Sequence, residues 1–246
     1  IKEDEKIVAS MILKDKNKNL VLFTKNGLTK QVSLKDFEVT RYSKPMVAIK
    51  LKENDELINV TTSKETTLFV TNNGYYLRFK TSEIPLVGVK ASGVKGINLK
   101  DDYVIYGASI KEEDEYLNIF TNYRTAKRIK INELSLITRA KKGNMLFKKA
   151  KTKDYKLNFA YLTNSKDINL YKIDNDIKEM KNSEIPIMDI SSTGSIISKN
   201  VIDLWALKSN DINLITKDEK KQDNNENKIL EQEQLSFSDF VEDFKI

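Results

Sequence analysis

Leu20-Val21-Leu22-Phe23-Thr24-Lys25-Asn26-Gly27 is an apolar run that ends in a Thr-x-x-Gly turn, and the same unit recurs down the chain. Leu68-Phe69-Val70-Thr71-Asn72-Asn73-Gly74 is a second copy, and Leu117-Asn118-Ile119-Phe120-Thr121-Asn122-Tyr123-Arg124 is a third. Phe159-Ala160-Tyr161-Leu162-Thr163-Asn164-Ser165-Lys166 reads as a weaker fourth. The threonines at 24, 71, 121 and 163 are spaced by 47, 50 and 42 residues. Each run is short and rich in β-branched or aromatic residues. Each also stops in Asn/Gly chemistry, which supplies the positive φ angles of a tight hairpin. Arg124 stands where the first two copies have Gly, which predicts a looser turn or one of another type.

The second half of the unit repeats as well. Thr40-Arg41-Tyr42-Ser43-Lys44-Pro45-Met46-Val47 aligns without gaps on Thr138-Arg139-Ala140-Lys141-Lys142-Gly143-Asn144-Met145, with Lys90 to Gly96 holding the same place between them. A strand and an acidic turn follow, as in Ile49 to Asp55 and Ile97 to Asp102. Ile1 to Val8 matches Leu51 to Ile58, so the chain reads as starting at the tail of a preceding unit. The expected fold is all-β: a propeller-like array of about four units, each a four-stranded blade. One such sheet cannot bury both faces alone and must stack on neighbours. A β-sandwich or a pair of small barrels is the alternative, but neither requires whole units to repeat. The array is expected over residues 1–206.

Residues 207–246 read as a separate acidic tail. From Lys217 onward five Lys face nine Asp and Glu, with many Asn and Gln and no Gly or Pro, the composition of a disordered segment. Its aromatic end, Leu235 to Phe244, is either a solvated tail or a docking element. The chain's formal charge of +6 therefore divides into about +10 on the repeats and −4 on this tail.

Composition removes several function classes. There is no His and no Cys among the 246 residues. Ser-His-Asp and Cys-His catalysis, His-ligated metals, Cys-ligated zinc and disulfides are all excluded. The Gly-rich stretch Gly88 to Gly96 lacks the Gly-Lys-Ser/Thr that opens a helix in a P-loop. No apolar run approaches the ~18 residues of a membrane span, and the charged start carries no signal peptide. The expected setting is the cytosol. Trp205 reads as core in an apolar strand.

The positive charge follows the repeat. The first unit has Lys30, Arg41 and Lys44, and the second has Arg78, Lys90 and Lys95. The third is the most basic, with Arg124, Lys127, Arg128, Arg139, Lys141 and Lys142. The fourth has an uncharged loop, Ile190 to Ile196, and Leu170 in the column assigned to Arg78 and Arg128. Charges recurring in successive units lie along one edge of a stack, a stripe that suits duplex phosphates. Gly93, Gly96 and Gly143 are expected to let the loop backbone approach a phosphate.

Phe23 to Gly27, Val39 to Pro45 and especially Gly88 to Asp102 resemble the C-terminal domain of the topoisomerase IV A subunit from low-GC Gram-positive bacteria. The resemblance covers about residues 1–206, is strong through Leu146 and is absent from the tail. It implies a β-pinwheel, whose blades exchange a strand with their neighbours. It also implies a non-catalytic domain that binds and bends the transported duplex for ATP-dependent strand passage, relaxation and decatenation. The parent enzyme's active site would lie upstream, with ATP and Mg²⁺ handled by a partner ATPase subunit. No cofactor is expected in this fragment. The partners implied are duplex DNA and, in a heterotetramer, the ATPase partner together with a second copy of the parent chain. The C-terminal wrapping domain of gyrase A is the rival within the family, although its Gly-rich basic box has no match at Thr40 to Met46. A propeller that binds acidic proteins is the rival outside it.

Overall fold

A computed structural model describes residues 5–10, 17–38, 45–111, 115–148, 152–173, 176–200, 202 and 204–208, with backbone only at 173 and 204–208. Arg41, Lys44 and the tail beyond Lys208 lie outside the described residues, as does the side chain of Trp205. The sheets lie in a compact unit, Ile1–Ala206, with one strand running on to Lys208.

Each unit opens with a hairpin: β1 (Asn19–Thr24) and β2 (Leu28–Ser33), then β4 (Thr66–Thr71) and β5 (Tyr75–Lys80), then β8 (Tyr116–Thr121) and β9 (Thr125–Lys130), then β12 (Ile168–Ile173) and β13 (Asp176–Lys181). A single 3-10 turn follows every hairpin, at Leu34–Phe37, Thr81–Glu83, Ile131–Glu133 and Asn182–Glu184. Three of the units then place a two-residue strand, β6 (Val94–Lys95), β10 (Asn144–Met145) and β14 (Ser195–Ile196). The strands that close the units are β3 (Leu57–Thr62), β7 (Val104–Ile110), β11 (Leu157–Thr163) and β15 (Leu204–Lys208). The sheet orders are β3-β1-β2-β6, β7-β4-β5-β10 and β11-β8-β9-β14, with β13-β12-β15 for the last. Every two-residue strand therefore pairs with the hairpin of the preceding unit, Val94 opposite Thr29 and Asn144 opposite Tyr76. The blades are linked by strand exchange, as a pinwheel requires.

The repeated threonine closes the hairpin turn. The carbonyls of Thr24, Thr71 and Thr121 accept from Gly27, Gly74 and Arg124 N–H at 3.0 Å in each case. Their hydroxyls accept from Leu28 and Tyr75 N–H at 3.0 and 3.1 Å. Arg124 adopts the turn of its glycine counterparts, with φ of 62° against 78° at Gly27. The expectation of a different turn is thus corrected: the three-residue loop needs a left-handed third residue and imposes it on arginine, a strain of roughly 1–3 kcal/mol. The acidic turns have a related task, since the Asp55 and Asp102 carboxylates accept from the turn amides of Asn26 and Asn73 at 2.8 and 3.0 Å.

Stacking explains why the first strands are continuously apolar. β4 is buried at all six positions because it has a blade on either side. Phe69 faces the first blade, packing edge-on to Phe23 at 5.2 Å beside Leu77, Phe79 and Val104. Its neighbours Leu68 and Val70 face the third blade and join Leu117, Ile119, Ile129 and Leu146.

The fourth repeat begins later than the threonine spacing implied. Phe159 to Thr163 belongs to β11, which closes the third blade by pairing with β8 (Ala160 opposite Ile119). The fourth hairpin starts at Ile168, so hairpin starts at 19, 66, 116 and 168 are spaced by 47, 50 and 52 residues. Both kinds of strand are apolar and end in Thr-Asn or a similar turn, which is why one was mistaken for the other. Leu170 consequently leaves the Arg78/Arg128 column. Glu179 stands there instead, two residues before the end of β13, as Arg78 and Arg128 do in β5 and β9.

Candidate nucleic-acid interface

The exchanged segments build the outer edge of the first three blades. Leu86, Leu136 and Ile187 form parallel bridges to Gln31, Arg78 and Arg128, and the chain then loops out and returns as β6, β10 or β14. Three loops of equal length result, 88–93, 138–143 and 189–194. Each crosses back through a glycine, Gly93 (φ 90°), Gly143 (φ 85°) or Gly194 (φ 89°). A Cβ at Gly93 or Gly194 would lie 2.6 Å from the carbonyl oxygen of Thr29 or Ala126, and one at Gly143 still closer to that of Tyr76. These glycines let one blade's loop touch the next blade's strand. Gly96 likewise faces the Phe69 ring. The expectation that Gly93, Gly96 and Gly143 admit a phosphate is therefore corrected, because the close approach is already filled by protein.

Four of the predicted contact residues are structural cations. Lys30 and Lys127 are 0% exposed. Lys30 Nζ donates to the Gly88 and Val89 carbonyls at 2.9 Å each, and Lys127 Nζ to those of Asp189 and Ile190 at 2.7 and 3.0 Å. Burial lowers both ammonium pKa values, that of Lys127 to about 8. Arg78 Nη1 donates to the Ile131 and Leu134 carbonyls at 3.0 and 3.3 Å, closing the next unit's 3-10 turn. Arg128 Nε donates to Ile185 O at 2.6 Å, with its guanidinium 4.8 Å from the Tyr116 ring centroid. Gln31 does the same work in the first blade, reaching the Thr81 and Ile84 carbonyls at 3.3 and 2.8 Å. A buried cation forfeits its hydration unless carbonyls replace it, and here they belong to the exchanged segment. These residues fix the loops to the blade, and Lys30 and Lys127 have no exposed surface to present to a phosphate. Gln31 was missed because an uncharged residue does not stand out in a count of basic ones.

The remaining predicted residues divide in two. Arg139 is half-buried and braces one loop against the next: its N–H meets the Glu83 carboxylate at 2.8 Å, and its guanidinium bonds the Glu83 and Lys95 carbonyls. Arg124 is exposed at its turn and bonds the Lys199 carbonyl. Lys90, Lys95, Lys141 and Lys142 are exposed on two adjacent loops. Lys142 Nζ sits 4.3 Å from the Tyr75 ring centroid, and the other three have solvent before them. The fourth loop presents Ser191, Ser192, Thr193 and Asp189 instead. Hydrogen bonds from Ser191 hold the Asp189 carboxyl below its usual range, so this loop carries a negative charge.

Comparison with known proteins agrees with this architecture. The model of the family described as "DNA gyrase C-terminal domain, beta-propeller" matches residues 18–64, 65–110 and 115–164, more than half of the chain. The DNA topoisomerase 4 A subunit of Bacillus subtilis is 33% identical over 217 residues, 84% of this chain and 27% of the relative. The Staphylococcus epidermidis protein of the same name is 38% identical over 162 residues, 64% of this chain and 20% of the relative. The chain thus spans about a quarter of the length of the curated relatives it matches. Among solved structures, the C-terminal domain of DNA topoisomerase IV superposes with a TM-score of 0.77 at 31% identity, covering 84% of this chain and 67% of that one. A DNA gyrase A C-terminal domain shares the fold, with a TM-score of 0.67 at 19% identity, covering 79% of this chain and 67% of that one. The three matched segments coincide with the first three repeat units, and the chain belongs to the DNA gyrase C-terminal domain, beta-propeller family.

Proposed function

We propose that this chain is the duplex-binding domain of the DNA-cleaving chain of a type IIA topoisomerase, carrying no catalytic group of its own. It holds and bends the transported DNA segment beside the parent's strand-passage gate. The observation that carries this reading is the pairing of two adjacent, rigidly fixed edge loops with four exposed lysines, Lys90, Lys95, Lys141 and Lys142. Fixed cations on a curved edge meet successive phosphates without first being ordered, and they read no bases. The neutral to acidic fourth loop limits the charged path to a short arc, which favours bending over full wrapping as in gyrase. In the parent, ATP and Mg²⁺ belong to a partner ATPase subunit, and two copies of each chain assemble in the bacterial cytoplasm. A titration of the 246-residue chain against unrelated duplexes at several salt concentrations tests the reading. Affinity should fall steeply with salt and be alike for all sequences, whereas salt-insensitive or absent binding overturns it.

A further inference from the structure

The third and fourth blades meet through amides where the second and third meet through hydrocarbon. Asn118, Asn169 and Asn182 are 0% exposed and Thr163 is 3% exposed, and they close one ring of hydrogen bonds across the seam. Asn118 Nδ2 donates to Asn182 Oδ1 at 2.6 Å and to Asn169 Oδ1 at 3.4 Å. Asn182 Nδ2 donates to Thr163 Oγ1 at 3.1 Å, and the Thr163 hydroxyl donates to Asn118 Oδ1 at 2.9 Å. The repeat shows which residues these replace. Asn118 is third in its opening strand, as Leu68 is; Asn169 is second, as Leu117 is; Asn182 starts its 3-10 turn, as Ile131 does. Leu68, Leu117 and Ile131 lie in one buried apolar cluster between the second and third blades. The first seam holds one polar pair, Thr67 and Thr81 at 2.8 Å, among the buried Val21, Phe23, Phe69 and Phe79. At the third seam the buried apolar residues are Phe120, Ala126 and Ile185, none of them from β12 or β13, whose Tyr171 and Met180 are partly buried.

We propose that the sheet β13-β12-β15 is a flap that opens from the third blade as one unit while the other three blades stay folded. Separating two apolar faces leaves hydrocarbon in water, at a cost that grows with the area exposed. An amide that leaves its seam exchanges a protein partner for water and loses little net. The ring of amides therefore holds the flap weakly, yet it admits one docked position, because an amide that returns without its partner is penalised. The exchanged segment does not travel with the flap. Arg128 Nε and N–H donate to the Ile185 and Pro186 carbonyls at 2.6 and 2.9 Å, and Met188 N–H donates to the Arg128 carbonyl at 3.1 Å. Lys127 holds the Asp189 and Ile190 carbonyls. These bonds tie residues 185–190 to β9, so the chain hinges between Asn182 and Ile185. Opening uncovers Phe120, Phe159 and Tyr161 on the third blade and leaves the edge loops in place. The end blade can thus come and go without disturbing the row of lysines, and the flap stands whether or not the edge binds a duplex.

Native-state hydrogen exchange of the 246-residue chain, read amide by amide, tests this. The amides of the β12–β13 ladder should share one opening constant, about 100-fold or more above that of β4, β5 and β8, as a sub-global opening does. The Arg128 and Met188 amides, bonded between β9 and the exchanged segment, should stay in the slow class with β8. Ladder amides as slow as those of β8 overturn the flap. So do rates graded inward from the strand ends, or Arg128 and Met188 exchanging together with β12. The variant Asn118→Leu, Thr163→Val, Asn169→Leu, Asn182→Ile gives the third seam an apolar pattern like that of the second. Its flap should open at least about tenfold less often, through the apolar area it now buries. A folded variant that opens as often as wild type shows that the amides are not what loosens the seam. If the variant does not fold, exchange in the wild type decides alone.

Discussion

Loops 138–143 and 189–194 have one architecture and opposite charge. Each is seven residues beyond its bridge at its closing glycine, and each is fixed by an arginine from the preceding blade, Arg78 in one case and Arg128 in the other. Yet the first exposes Lys141 and Lys142, while the second exposes Asp189 and Ser191. Backbone path and surface charge are therefore set by different residues. The glycines and buried cations determine where a loop runs, and the exposed positions are left to decide what it binds. Substitutions in the two classes should fail differently, one in stability and the other in salt dependence.

The largest effect should come from the crossing glycine. Gly143→Ala adds a left-handed strain and a Cβ against the Tyr76 carbonyl, which is backbone and cannot step aside. The combined cost is roughly 3 kcal/mol, or a fall in Tm of about 6–12 °C, read by thermal unfolding. A Tm within about 2 °C of wild type, on the order of the shift from one weak interaction, would show that the crossing is slack.

Next comes the fixing arginine. Arg128→Met keeps the bulk and removes the donor to Ile185 O, leaving a buried carbonyl unpaired at a cost of about 1–3 kcal/mol. The salt slope of DNA affinity should stay where it was, because this guanidinium meets no phosphate. A lower slope in a folded Arg128→Met protein would return the residue to the interface. The exposed pair should behave in the reverse way. Lys141→Ala with Lys142→Ala should leave the Tm unchanged and flatten the slope by about 1.8, at roughly 0.9 per phosphate contact. A slope flattened equally by Lys166→Ala with Lys172→Ala in the fourth unit, which removes the same charge, would mean that binding follows net charge alone.

What could be read from the sequence divides along the same line. The Thr-x-x-Gly hairpins were legible because they are local: one turn conformation demands a closing threonine and a left-handed third residue, and both are neighbours in the chain. The exchange was not legible. Lys30 meets Gly88 across 58 residues, and nothing near Lys30 marks it as buried. A lysine on a strand reads as solvated edge, and only the partner carbonyls reveal otherwise. For the same reason Lys30, Arg78, Lys127 and Arg128 were counted with the exposed lysines, and β11 passed for the start of a fourth unit. Phe159 to Leu162 is as apolar in sequence as an opening strand, and only the fold shows that β11 lies at the end of its sheet and is partly buried where β8 is almost wholly buried.

The buried lysine adds a pH dependence. Below about pH 8 Lys127 is protonated in both folded and unfolded chains, so it contributes no slope. Above that value the folded state releases the proton, while the unfolded lysine holds it to its ordinary 10.5. The unfolded state then binds more protons, and stability rises with pH across this window. Tyr161 opposes the rise from about pH 10 upward, because burial raises its hydroxyl pKa above the ordinary value and the unfolded tyrosine ionises first. Denaturant unfolding of wild type minus Lys127→Met should therefore show a difference that grows between about pH 8 and 10. A flat difference would mean that Lys127 stays charged on its two carbonyls throughout.

The smallest expected effect decides whether charge alone separates the two loops. Ser191→Lys and Thr193→Lys place cations in the columns of Lys90 and Lys142 on the acidic loop, counting from the shared bridge position. Ser191 is exposed, and the bond that Thr193 supplies is made by its carbonyl, which accepts from the Thr125 hydroxyl at 2.6 Å, so neither change disturbs the crossing. One new lysine will be partly neutralised by the neighbouring Asp189. The salt slope should therefore steepen by about 1 to 1.5 units, less than the roughly 1.8 of two full contacts. If it does, the fourth loop already lies against the duplex path and lacks only the cations to hold it. If the slope stays unchanged in the folded variant, the duplex leaves the edge after the third loop. The absence of lysines in the fourth would then follow from the path of the DNA, and would not be what ends it.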